Sequence, residues 1–402
     1  MRALIVGDAC VSTGFAKGTH AYADGLVRAG YEVHVLGMHY TGDPHPYPYP
    51  IYTTWPGGDQ FGIGRIANIV KQTQPDVIII QQDPWNFSEY MGRLHDVDKP
   101  IIGVVAVDGK NCSGRSLNGL AMAVFWTKFG EYEAKIGGYA GKSAVIPLGV
   151  DTEVFKPMDR AAVRQELLGL VFEKLGMPMD TFVVGAVGRN QERKRLDLTI
   201  QYFAEWVQAK DVRNAVLWMH VAPTGDDAFN IKQLAAYFGV KGRVLVPDIN
   251  PRYGIAEEIL AKVYNLFDVY LSTTLGEGMG LTAMEAMASG VACILPKWSA
   301  YGEWAAPAAW LAECNSISVA PRINTVGGVV GNEVIKALSR LRNDPHAREA
   351  LVQAGIKLMD EPQYRWEAVG DKFAEVVTKT IRPVAAHMPL PVSVEEEPVG
   401  AV

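Results

Sequence analysis

Cysteine, basic charge and long apolar runs are all scarce in this chain of 402 residues. The four cysteines are scattered without a Cys-x-x-Cys pair, so the sequence predicts neither a zinc site nor a disulfide framework. No run approaches the ~20 apolar residues that a membrane-spanning helix needs. The first residues, MRALIVGDAC, lack the length and the small-residue cleavage site of a signal peptide. These absences favour a cytoplasmic protein with no transmembrane segment.

The charge balance and the histidine pattern exclude further classes. A net charge of −6 gives no global basic field that would attract nucleic acid, although a local basic patch is compatible with it. No His-x-x-His, His-Glu-x-x-His or clustered Asp-x-Asp pair marks a metal site, and we interpret His20 and His220 as structural residues. At roughly 100–200 residues per domain, the length predicts two or three domains.

Short apolar, β-branched runs, in contrast, are abundant. Near-continuous runs of this kind are typical of parallel strands that are buried on both faces. Most of them are separated by segments long enough for a helix, which predicts two doubly wound, Rossmann-like α/β domains. The predicted strands are 3–7, 33–37, 76–81, 101–107, 123–127 and 143–149 in the first half, and 182–188, 215–221, 243–247, 268–272, 291–295 and 309–313 in the second.

The chain divides near the segment PLGVDTEVFKP. We assign residues 1–150 to an N-terminal domain, closed by a C-terminal helix at about 368–382, and residues 151–367 to a C-terminal domain. Because ligands of doubly wound sheets bind outside the carboxyl ends of the strands, two such domains that face each other form a cleft with binding loops on both sides. Residues 383–402 hold four prolines and three consecutive glutamates and are interpreted as a disordered acidic tail.

The first candidate site is the segment TTLGEGMGLTAMEAMASG, residues 273–290. Its glycines let the backbone approach a ligand, and a helix that begins near 280–281 offers unpaired N–H groups that suit a phosphate. Glu277, in the turn, could accept hydrogen bonds from sugar hydroxyls, and Glu285 from both hydroxyls of a ribose. Alternatively, Thr282 and Glu285 have the spacing of a capping box, in which case Glu285 only closes the helix start.

The second candidate is VGRNQERKRLD, which lies between a predicted strand and an amphipathic helix. Arg189 sits at the strand end, whereas Arg193, Lys194 and Arg195 cluster at the helix start, where cations oppose the helix dipole. This unfavourable placement indicates an anionic ligand such as a diphosphate, whose developing charge Lys and Arg can stabilise. A solvated basic helix start is the alternative.

Two further segments follow strands of the first half. GDACVSTGFAKGTH, residues 7–20, is a glycine-rich loop that includes Gly14, although its spacing is not GxGxxG and a plain connection explains it as well. Asp108, in VVAVDGKN, follows a predicted buried strand, where it would face the cleft or merely cap a turn. Asp83, in QQDPW, has a similar placement with weaker support.

Together these segments resemble the retaining GT-B glycosyltransferases of family GT4, the glycosyl transferases group 1, along nearly the whole chain to about residue 380. The resemblance is carried by STGFAKG, IPLGVDTEVFKP, VGRNQERKRLD and, above all, EGMGLTAME, which matches the family's E-x7-E element. It implies the GT-B fold, two Rossmann-like domains that face each other across a cleft. It also implies metal-independent transfer of a sugar to an acceptor hydroxyl with retained anomeric configuration. The expected co-substrate is a UDP- or GDP-sugar, with no cofactor.

The resemblance also implies roles for individual residues. Arg189 and Lys194 would clamp the diphosphate, and Glu277 would hold the hydroxyls of the donor sugar. Further donor contacts would come from Gly14, from the backbone of Gly278, Met279, Gly280 and Leu281, from the carboxylate of Glu285, and from the base-binding region at Pro247 and Asp248. Asp108 departs from the pattern, because many relatives carry a histidine after the fourth strand of the first domain. A carboxylate there could stabilise an oxocarbenium-like centre or orient the acceptor hydroxyl, so we count Asp108 among the catalytic candidates.

The acceptor stays open between a glycan, a small molecule and modified DNA, and so does the oligomeric state. Two alternative functions fit the same fold: a DNA-modifying glycosyltransferase that acts on a hydroxymethylated base, and a non-catalytic protein that binds nucleotide-sugars. A nicotinamide-dependent enzyme is disfavoured. Its glycine turn would lie in the fourth strand unit of a domain and not in the first, and no acidic ribose partner follows ~20 residues on.

Overall fold

The computed structural model describes residues 1–54, 58–221, 229–247, 254–320 and 324–381. Its first sheet is parallel and has the strand order β3-β2-β1-β4-β5-β6-β7. Every residue of the fourth and fifth of these strands is buried, because apolar side chains cover both faces of the sheet. The strands are β1 (Arg2–Asp8), β2 (Glu32–Met38), β3 (Ile51–Thr53), β4 (Val77–Gln82), β5 (Ile101–Val105), β6 (Met122–Phe125) and β7 (Ser143–Val145).

A second parallel sheet has the order β10-β9-β8-β11-β12-β13. Both orders begin 3-2-1-4-5, the order of a doubly wound Rossmann-like sheet, so the predicted fold class is confirmed. The strands are β8 (Phe182–Val187), β9 (Ala215–His220), β10 (Val244–Leu245), β11 (Val269–Leu271), β12 (Ala292–Pro296) and β13 (Ala309–Ala312). All twelve strands predicted from apolar runs are present, with ends that differ by a few residues.

The sequence did not predict three of the observed strands. β3 lies at the end of the proline- and tyrosine-rich stretch 42–52, which has no continuous apolar run. β14 (Cys314–Val319) and β15 (Val326–Val330) form a separate antiparallel hairpin after the second sheet. Most residues of β14 are exposed or half-buried, so it carries no apolar run of the kind that marked the other strands.

Helices connect the strands and cover both faces of the sheets. Their bounds are α1 (Gly14–Arg28), α2 (Ile66–Thr73), α3 (Phe87–Arg93), α4 (Lys128–Ile136), α5 (Arg160–Leu175), α6 (Leu196–Ala209), α7 (Ile231–Tyr237), α8 (Glu257–Asn265), α9 (Leu281–Ala288), α10 (Ser299–Trp304), α11 (Glu333–Asn343), α12 (Pro345–Met359) and α13 (Trp366–Ile381). We call β1–β7 with α1–α4 and α13 the first lobe, and β8–β15 with α5–α12 the second lobe. Within the described ranges, no helix combines the length and the apolar composition that crossing a bilayer requires.

The C-terminal helix α13 returns to the first lobe and packs on α1. A Cβ at Gly25 would lie 2.1 Å from the carbonyl oxygen of Gly370. The two helices can therefore pack this closely because each has a glycine at the contact. Arg28 forms an ion pair of 2.7 Å with Asp371 beside this contact. The domain boundaries at 150 and 367 stay a prediction, and the tail predicted at 383–402 lies outside the described residues.

The strand orders fix where a ligand site can form. In a doubly wound sheet the direction of winding reverses at one point, and the loops that leave the strands there diverge to open a crevice at the carboxyl edge. This point lies between β1 and β4 in the first sheet and between β8 and β11 in the second. One continuous apolar cluster includes residues of both lobes, among them Trp126 of the first and Met279 and Tyr301 of the second. The two carboxyl edges therefore lie close together.

Candidate active site

Glu277 lies in the turn that follows β11, at the carboxyl edge of the second sheet. Lys194 Nζ is 2.5 Å from its Oε1, and Arg193 Nη1 is 3.1 Å from its Oε2. The Glu277 side chain is only 7% exposed. Burial alone would raise its pKa, but Arg193 and Lys194 lower it to about 2. Glu277 is therefore an ionised hydrogen-bond acceptor throughout the neutral range.

Arg193 also reaches the first lobe. Its Nε lies 3.1 Å from Asp108 Oδ2, so one guanidinium bridges carboxylates of the two lobes. Burial raises the pKa of Asp108, and the charge of Arg193 opposes that shift. Burial lowers the pKa of Lys194, against the opposing charge of Glu277. The arrangement places two cations and two carboxylates in one half-buried cluster, and the alternative of a solvated basic helix start is wrong for Arg193 and Lys194.

The glycines of the turn allow the two lobes to come this close. A Cβ at Gly276 would lie 1.9 Å from the carbonyl oxygen of Asp108, and one at Gly278 would lie 3.0 Å from the ring of Trp126. Gly280 has a φ of +90° and precedes α9 directly, which begins at Leu281 as predicted. The sequence indicated that this backbone approaches a ligand; the structure adds that it also approaches the opposite lobe.

Three aspartates mark the carboxyl edge of the first sheet. Asp8, Asp83 and Asp108 end or follow β1, β4 and β5, which are neighbours in the sheet. Burial, with Asp108 and Asp8 nearby, raises the pKa of Asp83 to about 8. Burial also raises the pKa of Asp8, whose carboxylate accepts a hydrogen bond of 2.6 Å from Thr13. The first lobe thus presents three neighbouring carboxyl groups at this edge, of which Asp83 keeps its proton at neutral pH.

Glu285 lies in the second turn of α9 and is also tied to the first lobe. Lys17 Nζ is 2.7 Å from Glu285 Oε1 and 2.9 Å from Glu257 Oε1. The hydroxyl of Tyr264 donates to Glu285 Oε2 at 2.8 Å. Thr282 Oγ1 instead lies 2.8 Å from the hydroxyl oxygen of Tyr270. The capping-box alternative is therefore wrong, because both oxygens of Glu285 bind side chains away from the helix start.

Gly14 is the first residue of α1, so the predicted loop 7–20 is shorter than expected. Thr13 caps the helix, and its Oγ1 accepts from the N–H of Ala16 at 3.1 Å. A Cβ at Gly14 would lie 2.7 Å from Leu281 Cδ1, directly across the gap between the lobes. His20, further along α1, bonds Tyr49 and the carbonyl of Ala9 at 2.7 and 2.8 Å, which agrees with a structural role.

The remaining predicted residues lie around this centre. Arg189 follows β8 and is exposed, and its charge acts on Asp8 across the gap. Gly188, Arg189, Lys194 and Thr273 line an opening at the winding reversal of the second sheet. Pro247 is half-buried just after β10, and Asp248 lies outside the described residues.

Sequence reasoning missed two residues of the centre. Arg193 was noted in the basic cluster, but its bridge between Glu277 and Asp108 depends on the packing of the lobes. Lys17 is part of the segment STGFAKG, but the sequence assigned no role to it. One signal could have found it: three residues after Gly14 in a helix, it lies on the same face and so points toward the same gap.

Comparisons with known proteins support the resemblance. Residues 170–326 match the family described as Glycosyl transferases group 1. The match includes Arg189, Lys194, Glu277 and Glu285, so the predicted resemblance is confirmed for the segment that carries them. The first 150 residues lie outside it.

Curated relatives match the chain in part. A D-inositol 3-phosphate glycosyltransferase of Segniliparus rotundus is 30% identical over 200 residues, which are 46% of this chain and 41% of that protein. One of Stackebrandtia nassauensis is 34% identical over 154 residues, 37% of this chain and 32% of that protein. The chain thus spans less than half the length of these relatives.

Solved structures match along almost the whole chain. Sucrose-phosphate synthase of Thermosynechococcus elongatus superposes with a TM-score of 0.72 at 17% identity, covering 94% of this chain and 98% of that one. A glycosyltransferase of Rickettsia africae gives 0.69 at 16% identity, covering 95% and 98%. At these identities the likeness establishes the fold, which is the GT-B arrangement of two doubly wound lobes.

Proposed function

We propose that the protein is a retaining, metal-independent glycosyltransferase that moves a sugar from a nucleotide-diphosphate sugar to an acceptor hydroxyl. The observation that carries this proposal is the position of Glu277. It is an ionised, buried carboxylate between Lys194 and Arg193, at the winding reversal of the second sheet and opposite Asp108. A carboxylate there can accept hydrogen bonds from sugar hydroxyls. The neighbouring cations can stabilise the negative charge of a departing diphosphate.

The donor would lie across the second lobe. Its diphosphate would bind Arg189 and Lys194 and the N–H groups at the start of α9, where the helix dipole favours an anion. The ribose hydroxyls would bind Glu285, and Glu277 would hold the transferred sugar. The matched family segment, residues 170–326, supports this placement because it contains all of these residues. When the donor binds, Lys194 would give up part of its ion pair with Glu277 and bind the diphosphate instead.

The reaction needs no covalent bond to the protein. The bond between the anomeric carbon and the phosphate oxygen breaks, and the acceptor oxygen bonds to that carbon from the face that the nucleotide leaves. The proton of the acceptor hydroxyl passes to a phosphate oxygen. Asp108, on the acceptor side, would orient the acceptor hydroxyl or stabilise positive charge at the anomeric carbon. Closure of the lobes would exclude water, which otherwise hydrolyses the donor.

The two alternatives differ in testable ways. A DNA acceptor is disfavoured by the net charge of −6, because a polyanion is repelled by a protein of the same sign of charge. Salt-dependent binding of hydroxymethylated duplex DNA would favour it instead. A non-catalytic binding protein would bind the donor tightly and form no product.

Binding and turnover are tested together on the purified protein. We expect thermal unfolding to shift upward with UDP or GDP and with one of their sugars, since a ligand at 100 times its dissociation constant adds about 2.7 kcal/mol. Lys194→Ala should weaken nucleoside-diphosphate binding about tenfold or more, the worth of a hydrogen bond to a charged group. Lys297→Ala is the matched control, because Lys297 forms an exposed ion pair with Glu313 in the same lobe. If no nucleotide shifts the transition and no sugar is transferred, the proposal fails.

A further inference from the structure

The hairpin β14–β15 belongs to the second lobe but bonds to the first. The N–H of Lys110 donates to the carbonyl of Val326 at 2.9 Å, and the N–H of Val326 donates back to the carbonyl of Lys110 at 3.0 Å. This reciprocal pair is an antiparallel bridge between the lobes. Lys110 stands two residues after Asp108, so the bridge forms next to the candidate catalytic carboxylate.

Two side-chain contacts accompany the bridge. Asn111 Nδ2 donates to the carbonyl of Asn324 at 2.8 Å, again between the lobes. The ammonium of Lys110 lies 5.0 Å from the ring centroid of Trp298, within the range of a cation–π contact. Each contact is individually weak where it is exposed to water. Together they form a connection that can close without being permanent.

The same strand is bonded to the glutamate turn. The N–H of Gly328 donates to the carbonyl of Leu275 at 3.0 Å, and the N–H of Leu275 donates to the carbonyl of Arg193 at 2.8 Å. Backbone hydrogen bonds therefore connect the loop of Asp108, the hairpin, the turn of Glu277 and the segment of Arg193 in one series. Asp108, Glu277 and Arg193 are the three side chains whose mutual distances define the centre of the site.

We propose that the hairpin β14–β15 is an inter-lobe clasp that positions Asp108 against Glu277 and Arg193, with Lys110 and Asn111 as its positioning residues. This inference rests on the proposed function, because it assigns the clasp to the closed, productive complex. Only Gly109 separates the bridge from Asp108, so the bridge holds the chain at two Cα–Cα steps of about 3.8 Å from that residue. Nucleotide binding, by contrast, uses residues of the second lobe together with Gly14 on α1. None of these residues belongs to the clasp, so nucleotide binding should not depend on it.

Gly109 offers a direct way to disturb the clasp. A Cβ at this position would lie 2.6 Å from the carbonyl oxygen of Val326 and 2.7 Å from Thr325 Cγ2, so Gly109→Ala forces the hairpin away. Asn111→Ala removes the bond to Asn324 without adding volume. The controls lie in the first lobe away from the hairpin: Gly92→Ala, where a Cβ meets open space, and Asn118→Ala, which removes a bond to the carbonyl of Gly138 and a second one from the N–H of Ala140.

The readout separates positioning from general stability. In a transfer assay, Gly109→Ala and Asn111→Ala should lower kcat tenfold or more, while the dissociation constant and the stoichiometry for UDP or GDP stay within twofold of the unsubstituted protein. Both controls should keep kcat within twofold. An unchanged kcat in both clasp variants overturns the proposal. So does a parallel loss of nucleotide binding and kcat, because that is the behaviour of a merely structural element.

A cross-link tests the closed state without loosening the fold. Opposed residues of a reciprocal antiparallel pair have Cα atoms about 5.5 Å apart, within reach of a disulfide. Lys110→Cys with Val326→Cys, oxidised by oxidised glutathione with the donor already bound, should form the cross-link and complete a single turnover at the rate of the reduced protein. Each single-cysteine variant is the control for the native thiols. Failure to cross-link, or a tenfold slower first turnover that reductant restores, overturns the proposal.

The failure of this proposal can be told from that of the proposed function. If the unsubstituted protein neither binds a nucleotide nor transfers a sugar, the function itself is wrong. If it does both and the clasp variants behave like their controls, only the positioning role is wrong.

Discussion

The surroundings of Glu277 determine its charge state and so limit the roles that it can have. Two cations hold it ionised, and the N–H of its own backbone donates to Ser299 Oγ at 3.0 Å, which fixes the turn that carries it. A carboxylate with a pKa of about 2 cannot donate a proton at neutral pH. At neutral pH it is therefore not a general acid, and it can accept hydrogen bonds and balance positive charge, as the proposed sugar-binding role requires.

Glu277→Gln tests that role directly. The amide keeps the size of the side chain but loses the charge, so we expect turnover to fall about 30- to 100-fold, equivalent to a hydrogen bond to a charged group of about 2–3 kcal/mol. Nucleoside-diphosphate binding should be kept or become tighter, because Lys194 is released from its partner. Glu313→Gln, in an exposed pair of the same lobe, is the control. Kinetics equal to those of the control would remove Glu277 from the site.

The raised pKa of Asp83 predicts that the stability of the protein depends on pH. Its pKa is raised to about 8 in the folded state, first by burial and then by Asp108 and Asp8, against an ordinary value of about 3.8. Between these two values the folded state keeps a proton that the unfolded chain releases, so stability falls as the pH rises. Asp83→Asn removes this loss. The free energy of unfolding of the variant, relative to the unsubstituted protein, should therefore rise between pH 5 and pH 8, by at most about 1.4 kcal/mol per pH unit.

Urea unfolding of both proteins at pH 5, 6, 7 and 8 measures this difference. Asp98→Asn is the control, because Asp98 is exposed to solvent in the same lobe. The control should show no such trend. A difference for Asp83→Asn that stays flat or declines over this range would show that the carboxyl is ionised in the folded state.

Single residues were predictable where local pattern decided their place. Lys194 and Glu277 were found because each follows a recognisable strand, and doubly wound sheets put ligand sites at those ends. Their mutual contact was not predictable, since 83 residues separate them. Arg193 and Lys17 act through partners on the opposite lobe. The helical spacing of Lys17 from Gly14 indicates the side of α1 on which it lies, but it does not indicate its partner.

At the scale of elements, burial decided what the sequence revealed. Twelve of the thirteen parallel strands are short apolar runs that the sequence revealed, because covering a sheet on both faces leaves little room for polar side chains. The hairpin β14–β15 lies outside these sheets, and residues such as Ile317 and Val319 are 64% and 50% exposed. It therefore lacked the pattern on which the other predictions rested. β15 is different from β14, since Gly327, Gly328 and Val330 are buried and Val330 belongs to the core of the second lobe.

The packing of α13 on α1 gives a prediction at this scale. Gly25→Ala places a Cβ where the carbonyl oxygen of Gly370 stands, and backbone cannot rotate away as a side chain can. We expect a loss of about 2–3 kcal/mol or more of unfolding free energy, the range of an overpacked core. Gly92→Ala, in a helix of the same lobe with open space around it, should change stability little. Equal melting temperatures for the two variants would contradict the close contact of these helices.

At the scale of the whole molecule, the lobes are joined at separate places along their shared edge. Arg193 bridges the centre, the clasp lies beside it, and Lys17 joins Glu285 and Glu257 on α9 and α8. Glu303 adds a fourth connection, since its carboxylate accepts from the N–H groups of Lys128 and Phe129 at the start of α4. The molecule is thus in a closed arrangement, with the groups assigned to the donor already facing those of the acceptor side.

A double-mutant cycle on Lys17 and Glu285 measures whether this closed arrangement exists in solution. The Glu285 side chain is 7% exposed, so Lys17→Met leaves a nearly buried carboxylate without its cation and should destabilise the protein by a few kcal/mol. Glu285→Gln in the same chain removes that carboxylate and should recover part of the loss, giving a coupling energy of roughly 1–3 kcal/mol. The exposed pair Lys297 and Glu313, both in the second lobe, should give less than about 1 kcal/mol. Lys17 and Glu285 can couple only while the lobes touch, so a cycle that closes to within about 0.5 kcal/mol of zero would mean that they stand apart without a ligand.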